Sequence, residues 1–331
     1  MNSLVAVTGA DGFIGSHLVE TLVDRGHRVR AMVRYDPCES WGWLDALASD
    51  VLERVEVVPG DVRDPASVRD ALRDAESAYH LAALTAPSYS RLAPRSYAET
   101  NLLGTLNVLE AVRDLRTPRL VHASSGEVYG AARRVPIDEA HPLQARSPFA
   151  ATKIAADKLV ESYHASFGVP AVTLRPFGVF GPRQSARAFI PTVISQIAAD
   201  TGAVEIGAPE PALDLAFVRD VAEAFAIVGS APPGDVVGQV YNCGTGQVVS
   251  RGKLARVIAE LMGADPEVRC ETARGRPRAA ESVRFVCDSG LLRRDTGWRH
   301  QHTLEEGLKD TIEWFLDPAN LARYRPSTYT I

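Results

Sequence analysis

The chain has 331 residues, 46% of them hydrophobic, with a formal net charge of −5 and a pI near 5.9. That suffices for one large α/β unit and a smaller lobe, while the acidic balance and the lack of a strongly basic block exclude a nucleic-acid surface. No apolar run is long enough to span a bilayer, and Met1–Leu4 enters an apolar strand without a signal-peptide pattern, so no membrane and a cytoplasmic location are expected.

Leu4–Val7 is a short apolar run that ends at a glycine cluster and reads as a buried parallel strand. Thr8-Gly9-Ala10-Asp11-Gly12-Phe13-Ile14-Gly15 follows, and Ile14, Leu18 and Leu22 then recur at helical spacing up to Gly26. Arg28–Val33 is the next strand. Strand, glycine turn, helix and strand within about thirty residues make a βαβ unit. Gly9 permits the tight turn, Gly12 lets backbone approach a pyrophosphate, and Gly15 lets the helix pack on the strand. The helix N-terminus offers its free N–H groups to phosphate. The spacing is wider than the tightest dinucleotide fingerprint, and a plain glycine-rich turn is the alternative. A tightly bound NAD or NADP is expected. The second strand ends in Val33-Arg34-Tyr35 with no acid before Asp36. Arg34 therefore leans toward the 2′-phosphate of NADP, against the alternative of a solvated surface arginine.

Val55–Val58 reads as the third strand, and Asp61, before Val62, is placed to bond an adenine amine. Ala78–Ala83 is the fourth, with His80 a buried, satisfied residue and small side chains at its end that let a cofactor lie close. Tyr97–Val112 reads as a long helix in which Asn101 makes one structural hydrogen bond. Leu120–Ser125 is the fifth strand, and Ser124, Ser125 and Glu127 gather at its carboxyl end, where open α/β sheets bind ligands. The helix from Pro148 carries Phe149 and Lys153 four apart on one face. Val172–Arg175 is the sixth strand, left by a rigid loop, Pro176–Arg183. Beyond it, Ile190–Ala199 is helical, Phe217–Asp220 opens a helix with Asp220 as N-cap, and Gln239–Asn242 adds one strand to the first sheet. Arg274–Arg278 is a basic, proline-stiffened loop, Leu304–Phe315 a helix, and Arg323–Ile331 a polar tail. Cys38, Cys243, Cys270 and Cys287 form no CxxC pair and read as reduced thiols, and no metal site is expected.

The fold class is α/β: a doubly wound parallel sheet with a smaller mixed C-terminal substrate lobe. Residues 1–178 and about 217–260 are expected to form the dinucleotide-binding domain, and about 179–216 and 261–331 the lobe.

These residues resemble the extended short-chain dehydrogenase/reductases, Rossmann-type enzymes, in particular nucleotide-sugar 4,6-dehydratases and epimerases. The Gly9/Gly12/Gly15 turn, His80–Ala83, Asn101 in Asn101–Thr105, Ser124/Ser125, Lys153, Arg175-Pro176-Phe177 and Gly181-Pro182-Arg183 carry the likeness. Trp41–Leu44, Pro182–Ala188 and Arg276-Pro277 with Asp288 look most like the 4,6-dehydratases of nucleotide-linked N-acetylhexosamines, such as the legionaminic-acid pathway enzyme. The resemblance implies a nucleotide-diphosphate sugar as substrate and a homodimer. It implies a cofactor site at Gly9, Gly12, Phe13, Ile14, Gly15, Arg34, Asp61, Val62, Leu81, Ala82, Ala83, Asn101, Ser124, Lys153 and Pro176. It implies a sugar site at Tyr89, Ser125, Gly126, Glu127, Gly178, Arg183, Arg187, Arg276 and Arg278, with the three arginines Arg183, Arg276 and Arg278 for the diphosphate. In the implied cycle C4 is oxidised, Glu127 takes the C5 proton, the C6 hydroxyl leaves, and hydride returns to C6. Ser125 bonds the C4 oxygen, and Lys153 binds the nicotinamide ribose and lowers the pKa of a neighbouring phenol.

Four departures stand out. Phe149 occupies the position of that phenol. Gly126 replaces the aspartate that many 4,6-dehydratases use as acid for the C6 hydroxyl, and Gly178 replaces an asparagine. Leu213-Asp214-Leu215 replaces Arg-Asp-aromatic. Phe149 has three readings: an engineered trap, a natural change with rewired chemistry, or a chain that has become a non-catalytic sensor of nucleotide sugar or dinucleotide. Gly178 and Leu213 argue against engineering as the whole account. A 4-epimerase or a 5,6-dehydratase is the alternative within the enzyme class, and Glu127 favours removal of the C5 proton.

Overall fold

A computed structural model describes residues 3–199, 202–209, 212–270 and 285–321. Leu4–Thr8 (β1) runs into Phe13–Asp24 (α1), and Arg28–Arg34 (β2) returns parallel to β1. Leu18 and Leu22 are buried on α1, as their spacing requires. Ser49–Leu52 (α2) leads to Val55–Gly60 (β3), and Pro65–Leu72 (α3) follows, its first turn capped by the Asp64 side chain, which accepts from the Ala66 N–H. Ser77–His80 (β4) then crosses to the other side of β1. Pro87–Ser90 (α4) and Pro94–Tyr97 (α5) are short turns that lead into Gly104–Leu115 (α6).

Leu120–Ala123 (β5) ends in a 3-10 turn, Gly126–Tyr129, and Pro148–Phe167 (α7) packs back on the sheet before Ala171–Pro176 (β6). Pro at its first position, the Ser147 hydroxyl accepting from the Ala150 N–H, and Gly168 at φ +69° bound α7. Gly178–Phe180 (β7), Phe189–Ala198 (α8), Ala203–Ile206 (β8) and Ala212–Phe217 (β9) leave the main sheet. Val218–Ser230 (α9), Pro233–Val236 (α10) and Val240–Cys243 (β10) return to it. Val248–Ser250 (β11), Arg251–Leu261 (α11), Glu267–Cys270 (β12), Gly290–Thr296 (α12), Leu304–Leu316 (α13) and Pro318–Leu321 (α14) complete the described chain.

Seven parallel strands lie in the order β10-β6-β5-β4-β1-β2-β3. One core lies between this sheet and α1 and α9, a second between its other face and α3, α6 and α7. The strand order reverses at β1/β4, which opens a crevice at the carboxyl ends. A small sheet, β11-β9-β7, and the parallel pair β12-β8 build the lobe with α8, α11 and α13 around Phe180, Ile194, Phe217 and Phe315. Trp43, from the turn after β2, meets Trp314 of α13 edge-on at 5.4 Å and links the two parts. No helix among the described residues is long and apolar enough to cross a membrane.

Three local expectations need correction. The loop after β6 contains a strand, β7, which pairs in parallel with β9. Asp220 is not an N-cap: Phe217 holds that place with extended backbone, and Asp220 instead accepts from the Gln301 and His302 backbones at 3.1 and 3.2 Å. The expected helix over Tyr97–Val112 is not uniform but runs as a wide π-helical stretch, Ala98–Leu103, before α6. The stretch Arg274–Arg278 and the tail Arg323–Ile331 lie outside the described residues.

Candidate active site

The glycine turn is shaped by contact. Gly9 stands at φ +70°, and a Cβ there would lie 2.7 Å from the Ala82 backbone. A Cβ on Gly15 would lie 2.1 Å from the Gly9 carbonyl oxygen, so α1 starts directly on the turn. Gly12, the N-cap of α1, donates its own N–H to Gly9 O at 3.1 Å. Phe13 and Ile14 form the first turn, leaving helix-start N–H groups at the crevice. Thr8 Oγ1 accepts from the Ala82 N–H at 3.2 Å and fixes Leu81, Ala82 and Ala83 beside the turn. This cradle, closed by backbone where any side chain would intrude, fits the pyrophosphate of a dinucleotide. Asp11, within the turn, was not singled out by sequence, and burial raises its carboxyl above the ordinary range, against the Arg34 backbone and charge.

Arg34 is exposed at the end of β2. Asp61, after β3, accepts from Arg63 Nε at 3.0 Å, and this pairing holds its carboxyl below the usual range. A shallow cavity of about 350 Å³ opens between Asp61, Arg63, Asp64, Glu99 and Leu103, beside buried Val62.

A buried hydrogen-bond chain runs from this turn to α7. Thr8 Oγ1 meets His80 Nδ1 at 2.8 Å, and His80 Nε2 meets Thr105 Oγ1 at 3.0 Å. Thr105 donates to Asn101 O at 2.7 Å. The Asn101 amide donates to Leu84 O and Thr152 Oγ1 at 2.9 and 3.1 Å and accepts from the Leu84 N–H at 2.8 Å. Asn101 thus makes three contacts where one was expected, and the π-helical turn carries it inward.

Ser124 and Ser125 stand at the end of β5. Ser125 Oγ accepts from the Glu127 N–H at 3.2 Å, and the Glu127 side chain is exposed at the crevice. Ser124 Oγ is buried with no hydrogen-bond partner among the described residues. Lys153 is buried on α7, and its Nζ donates to Ala123 O at 2.6 Å. Burial lowers this amine to about 8, with the Asp157 carboxylate working against the shift. Phe149, one turn earlier, is also buried, and the Tyr97 ring meets it edge-on at 6.3 Å. Tyr97 donates its hydroxyl to Ala86 O at 2.6 Å. Tyr89 is partly exposed on α4, its ring 6.3 Å from that of Tyr97.

Below these groups lies a buried ionic network that sequence reading missed. Asp157 Oδ2 accepts from Arg175 Nε and Nη2 at 2.9 and 2.8 Å. Arg175 Nη1 donates to the Tyr129 hydroxyl at 2.8 Å, which donates to Asn242 Oδ1 at 2.7 Å. His122 Nε2 lies 3.5 Å from Asp157 Oδ1, longer than an ordinary hydrogen bond. Burial lowers the pKa of His122. Burial would raise the Asp157 carboxyl, but His122 and Arg175 outweigh it and hold it below the usual range. The one available signal was spacing: Asp157 sits four residues after Lys153.

Two of the departures, Gly126 and Gly178, have steric causes. A Cβ on Gly126 would lie 3.0 Å from Phe177 Cδ2 and 3.1 Å from Phe285 Cε1, two rings whose centroids are 4.8 Å apart. An acid there would face phenyl groups. A Cβ on Gly178 would lie 2.4 Å from Asp214 O, so the β7/β9 pairing leaves no room for asparagine. Asp214 accepts from the N–H groups of Thr245, Gly246 and Cys287 at 2.9, 2.9 and 2.8 Å and clamps the lobe strands.

Arg183 requires a correction. It is buried, its two terminal nitrogens bonded to Glu20 at 2.7 and 2.9 Å and one also to Ser16 Oγ at 3.3 Å. The guanidinium fixes the Gly181–Arg183 loop to α1 and is not turned toward a diphosphate. Arg187 is exposed, Pro176 is buried at the end of β6, and Arg276 and Arg278 lie outside the described residues.

The family model described as GDP-mannose 4,6 dehydratase matches residues 6–311. A dTDP-glucose 4,6-dehydratase of Mycolicibacterium smegmatis is 32% identical over 98% of this chain and 96% of its own length. A UDP-glucose 4-epimerase of the same organism is 32% identical over 93% of this chain and 97% of its own. Among solved structures, a double mutant of the dTDP-glucose 4,6-dehydratase of Streptomyces venezuelae, with NAD and a second ligand bound, superposes with a TM-score of 0.85. It is 27% identical over 96% of this chain and 98% of its own. The UDP-glucose 4-epimerase of Thermus thermophilus, in complex with NAD, gives a TM-score of 0.82 and 30% identity over 95% of this chain and 99% of its own.

Proposed function

The chain belongs to the GDP-mannose 4,6 dehydratase family of nucleotide-sugar dehydratases and epimerases, extended short-chain dehydrogenase/reductases, and from this we propose that it is an enzyme that converts a nucleoside-diphosphate sugar. The reaction we propose is 4,6-dehydration. A tightly bound nicotinamide dinucleotide supplies the hydride acceptor and donor, and relatives solved with NAD support that choice. The Gly9–Gly15 cradle receives its pyrophosphate, and Arg34 favours the 2′-phosphate of NADP.

Ser125 Oγ bonds the C4 oxygen of the sugar. Glu127 removes the C5 proton, a fit task for a carboxylate because a 4-keto group makes that carbon acid accessible to a weak base. The C6 hydroxyl leaves as water with a proton equivalent to the one lost from O4, hydride returns to C6, and Glu127 gives its proton back to C5. The single observation that carries this reading is the placement of Ser125 and exposed Glu127 on one 3-10 turn at the carboxyl end of β5, with buried Lys153 bonded to the same strand end. Glu127→Gln tests it: solvent-deuterium exchange at C5 should vanish while dinucleotide binding persists. Undiminished exchange in that variant would refute the assignment.

One observation favours a second reading. Among the described residues, the phenyl rings of Phe177 and Phe285 stand against Gly126, where a side-chain acid for the C6 hydroxyl would be placed. A C4 epimerase makes no demand for that acid, whereas a 5,6-dehydratase also expels the C6 hydroxyl and shares it; the product from each candidate nucleotide sugar distinguishes them. A sensor is the reading outside the enzyme class, and it expects no turnover even in Phe149→Tyr.

A further inference from the structure

We infer that Lys153 is itself the proton acceptor for the sugar's C4 hydroxyl, in place of the phenol that Phe149 lacks. This rests on the nucleotide-sugar reading above and gives Lys153 a task beyond holding a cofactor ribose.

The geometry narrows the choice of base. Phe149 is 4% exposed and carries no exchangeable side-chain proton. Tyr97, the phenol packed against it, is 1% exposed and turns its hydroxyl onto Ala86 O. Tyr89 is 41% exposed on α4, its ring 6.3 Å from that of Tyr97. His80 is bonded through both ring nitrogens, to Thr8 and Thr105. His122 is 0% exposed within the sheet.

Lys153 is as buried as Phe149, at 4% exposed, and differs from these groups in its bonding. Its Nζ reaches the end of β5, where Ser124 and Ser125 stand, and its one hydrogen bond among the described residues goes to Ala123 O. A neutral amine keeps that bond through an N–H and still presents its lone pair. No carboxylate among the described residues lies within ion-pair distance of Nζ. Asp157, four residues on along α7, is bonded to Arg175.

A buried ammonium without a paired anion is costly, so the site favours the neutral amine that a base requires. The groups facing Lys153 are Asp157 on α7, His122 on β5, His80 on β4 and, through Asp157, Arg175 on β6. Burial dominates among these and brings the amine to about 8, near working pH.

The step balances. The O4–H bond breaks and its proton goes to Nζ, giving an ammonium. The electron pair left on oxygen forms the C4=O bond as hydride leaves C4 for the oxidised nicotinamide, which is reduced. In the 4,6-dehydration the 4-keto group stays and hydride returns to C6, so the ammonium releases its proton to the departing water; where hydride instead returns to C4, the same ammonium gives the proton back to O4.

The chain contains four lysines, Lys153, Lys158, Lys253 and Lys309, and the last three are exposed. NMR of protein labelled with 13C,15N-lysine should therefore show one signal titrating near 8 that is absent in Lys153→Met. In wild-type protein carrying nicotinamide dinucleotide, kcat/KM for the sugar should rise with pH through that same midpoint. Phe149→Tyr should move the limb to lower pH and uncouple it from the lysine signal. Lys153→Ala should lose turnover, with partial return on addition of methylamine.

A lysine signal near 10, or a wild-type limb that ignores the lysine midpoint, overturns the inference. If the Lys153 variants do not fold, the wild-type midpoint and limb and the Phe149→Tyr shift still decide it. Absence of turnover with every nucleotide sugar, in wild type and Phe149→Tyr alike, overturns the enzyme reading itself. Turnover whose limb is uncoupled from Lys153 overturns only the lysine's role.

Discussion

Replacing Asp157 with asparagine keeps the side-chain shape and removes one charge from the ionic network beneath the site. The Asp157 and Arg175 side chains are 3% and 6% exposed, and two hydrogen bonds join them. In Asp157→Asn the Arg175 guanidinium stays buried and loses its anionic partner, and only neutral acceptors, the amide oxygen at that position and the Tyr129 hydroxyl, remain to it among the described residues. Breaking one side of such a pair costs about 3–5 kcal/mol. At roughly 2–4 °C per kcal/mol for domains of 150–250 residues, Tm should fall on the order of 10 °C. Urea denaturation should give the same loss through its midpoint with an unchanged slope.

The pH dependence of this loss has a definite sign. The folded-state Asp157 carboxyl is held below its unfolded value of about 3.9. The pair therefore contributes fully above that value and loses its contribution as pH falls toward the folded pKa. The difference between wild type and variant should be level near neutrality and shrink in acid. Arg175→Met on top of Asp157→Asn should cost less than the two single losses added together, because no unpaired charge remains. A loss under about 1 kcal/mol at neutral pH, or strict additivity in the double mutant, would refute the claim that the two residues act as one buried unit. Removing the Asp157 charge should also lower the Lys153 midpoint in the lysine NMR titration, since that charge opposes the shift caused by burial.

Other substitutions test separate features. Gly9→Ala forces a side chain into φ +70° and against the Ala82 backbone at 2.7 Å, so calorimetry should show loss of dinucleotide binding and denaturation a clear loss of stability. Gly126→Asp, which restores an acid common in 4,6-dehydratases, should destabilise by about 1–3 kcal/mol through crowding of Phe177 and Phe285, and should not raise turnover. Arg183→Met should lower Tm through loss of the Glu20 pair while nucleotide-sugar affinity by calorimetry stays level; a large affinity loss in a folded variant would return Arg183 to the diphosphate.

Much of the large sheet was legible because its strands are short apolar runs separated by helical spacing or by turn residues. The same periodicity placed Phe149 and Lys153 on one buried helix face. What escaped depends on partners far along the chain. β7 is three residues long and becomes a strand only through pairing with β9. Asp220 is a good capping residue by type, yet the His302 segment takes its carboxylate. Arg183 follows a proline in a loop and reads as exposed, but α1 presents Glu20 beneath it. Asp157, Arg175, Tyr129 and Asn242 come from four different elements, and no local pattern joins them. At the site, the residue types at Ser125, Glu127 and Phe149 were plain in the sequence. The phenyl wall against Gly126 required the fold, because Phe285 arrives from beyond the last strand of the main sheet.

The strand order has a consequence for how the protein is made. β6 is buried along its whole length, and its outer neighbour is β10, formed only at Val240–Cys243. During synthesis, the six earlier strands of the sheet emerge while the outer row of N–H and C=O groups on β6 stays open. The ribosome must add more than sixty further residues, most of the small lobe's first half among them, before that edge closes. An open edge on a strand built for the interior is a template for pairing with other chains. A nascent chain stalled before residue 240 should therefore engage holdase chaperones and aggregate when released, whereas one that includes β10 should not.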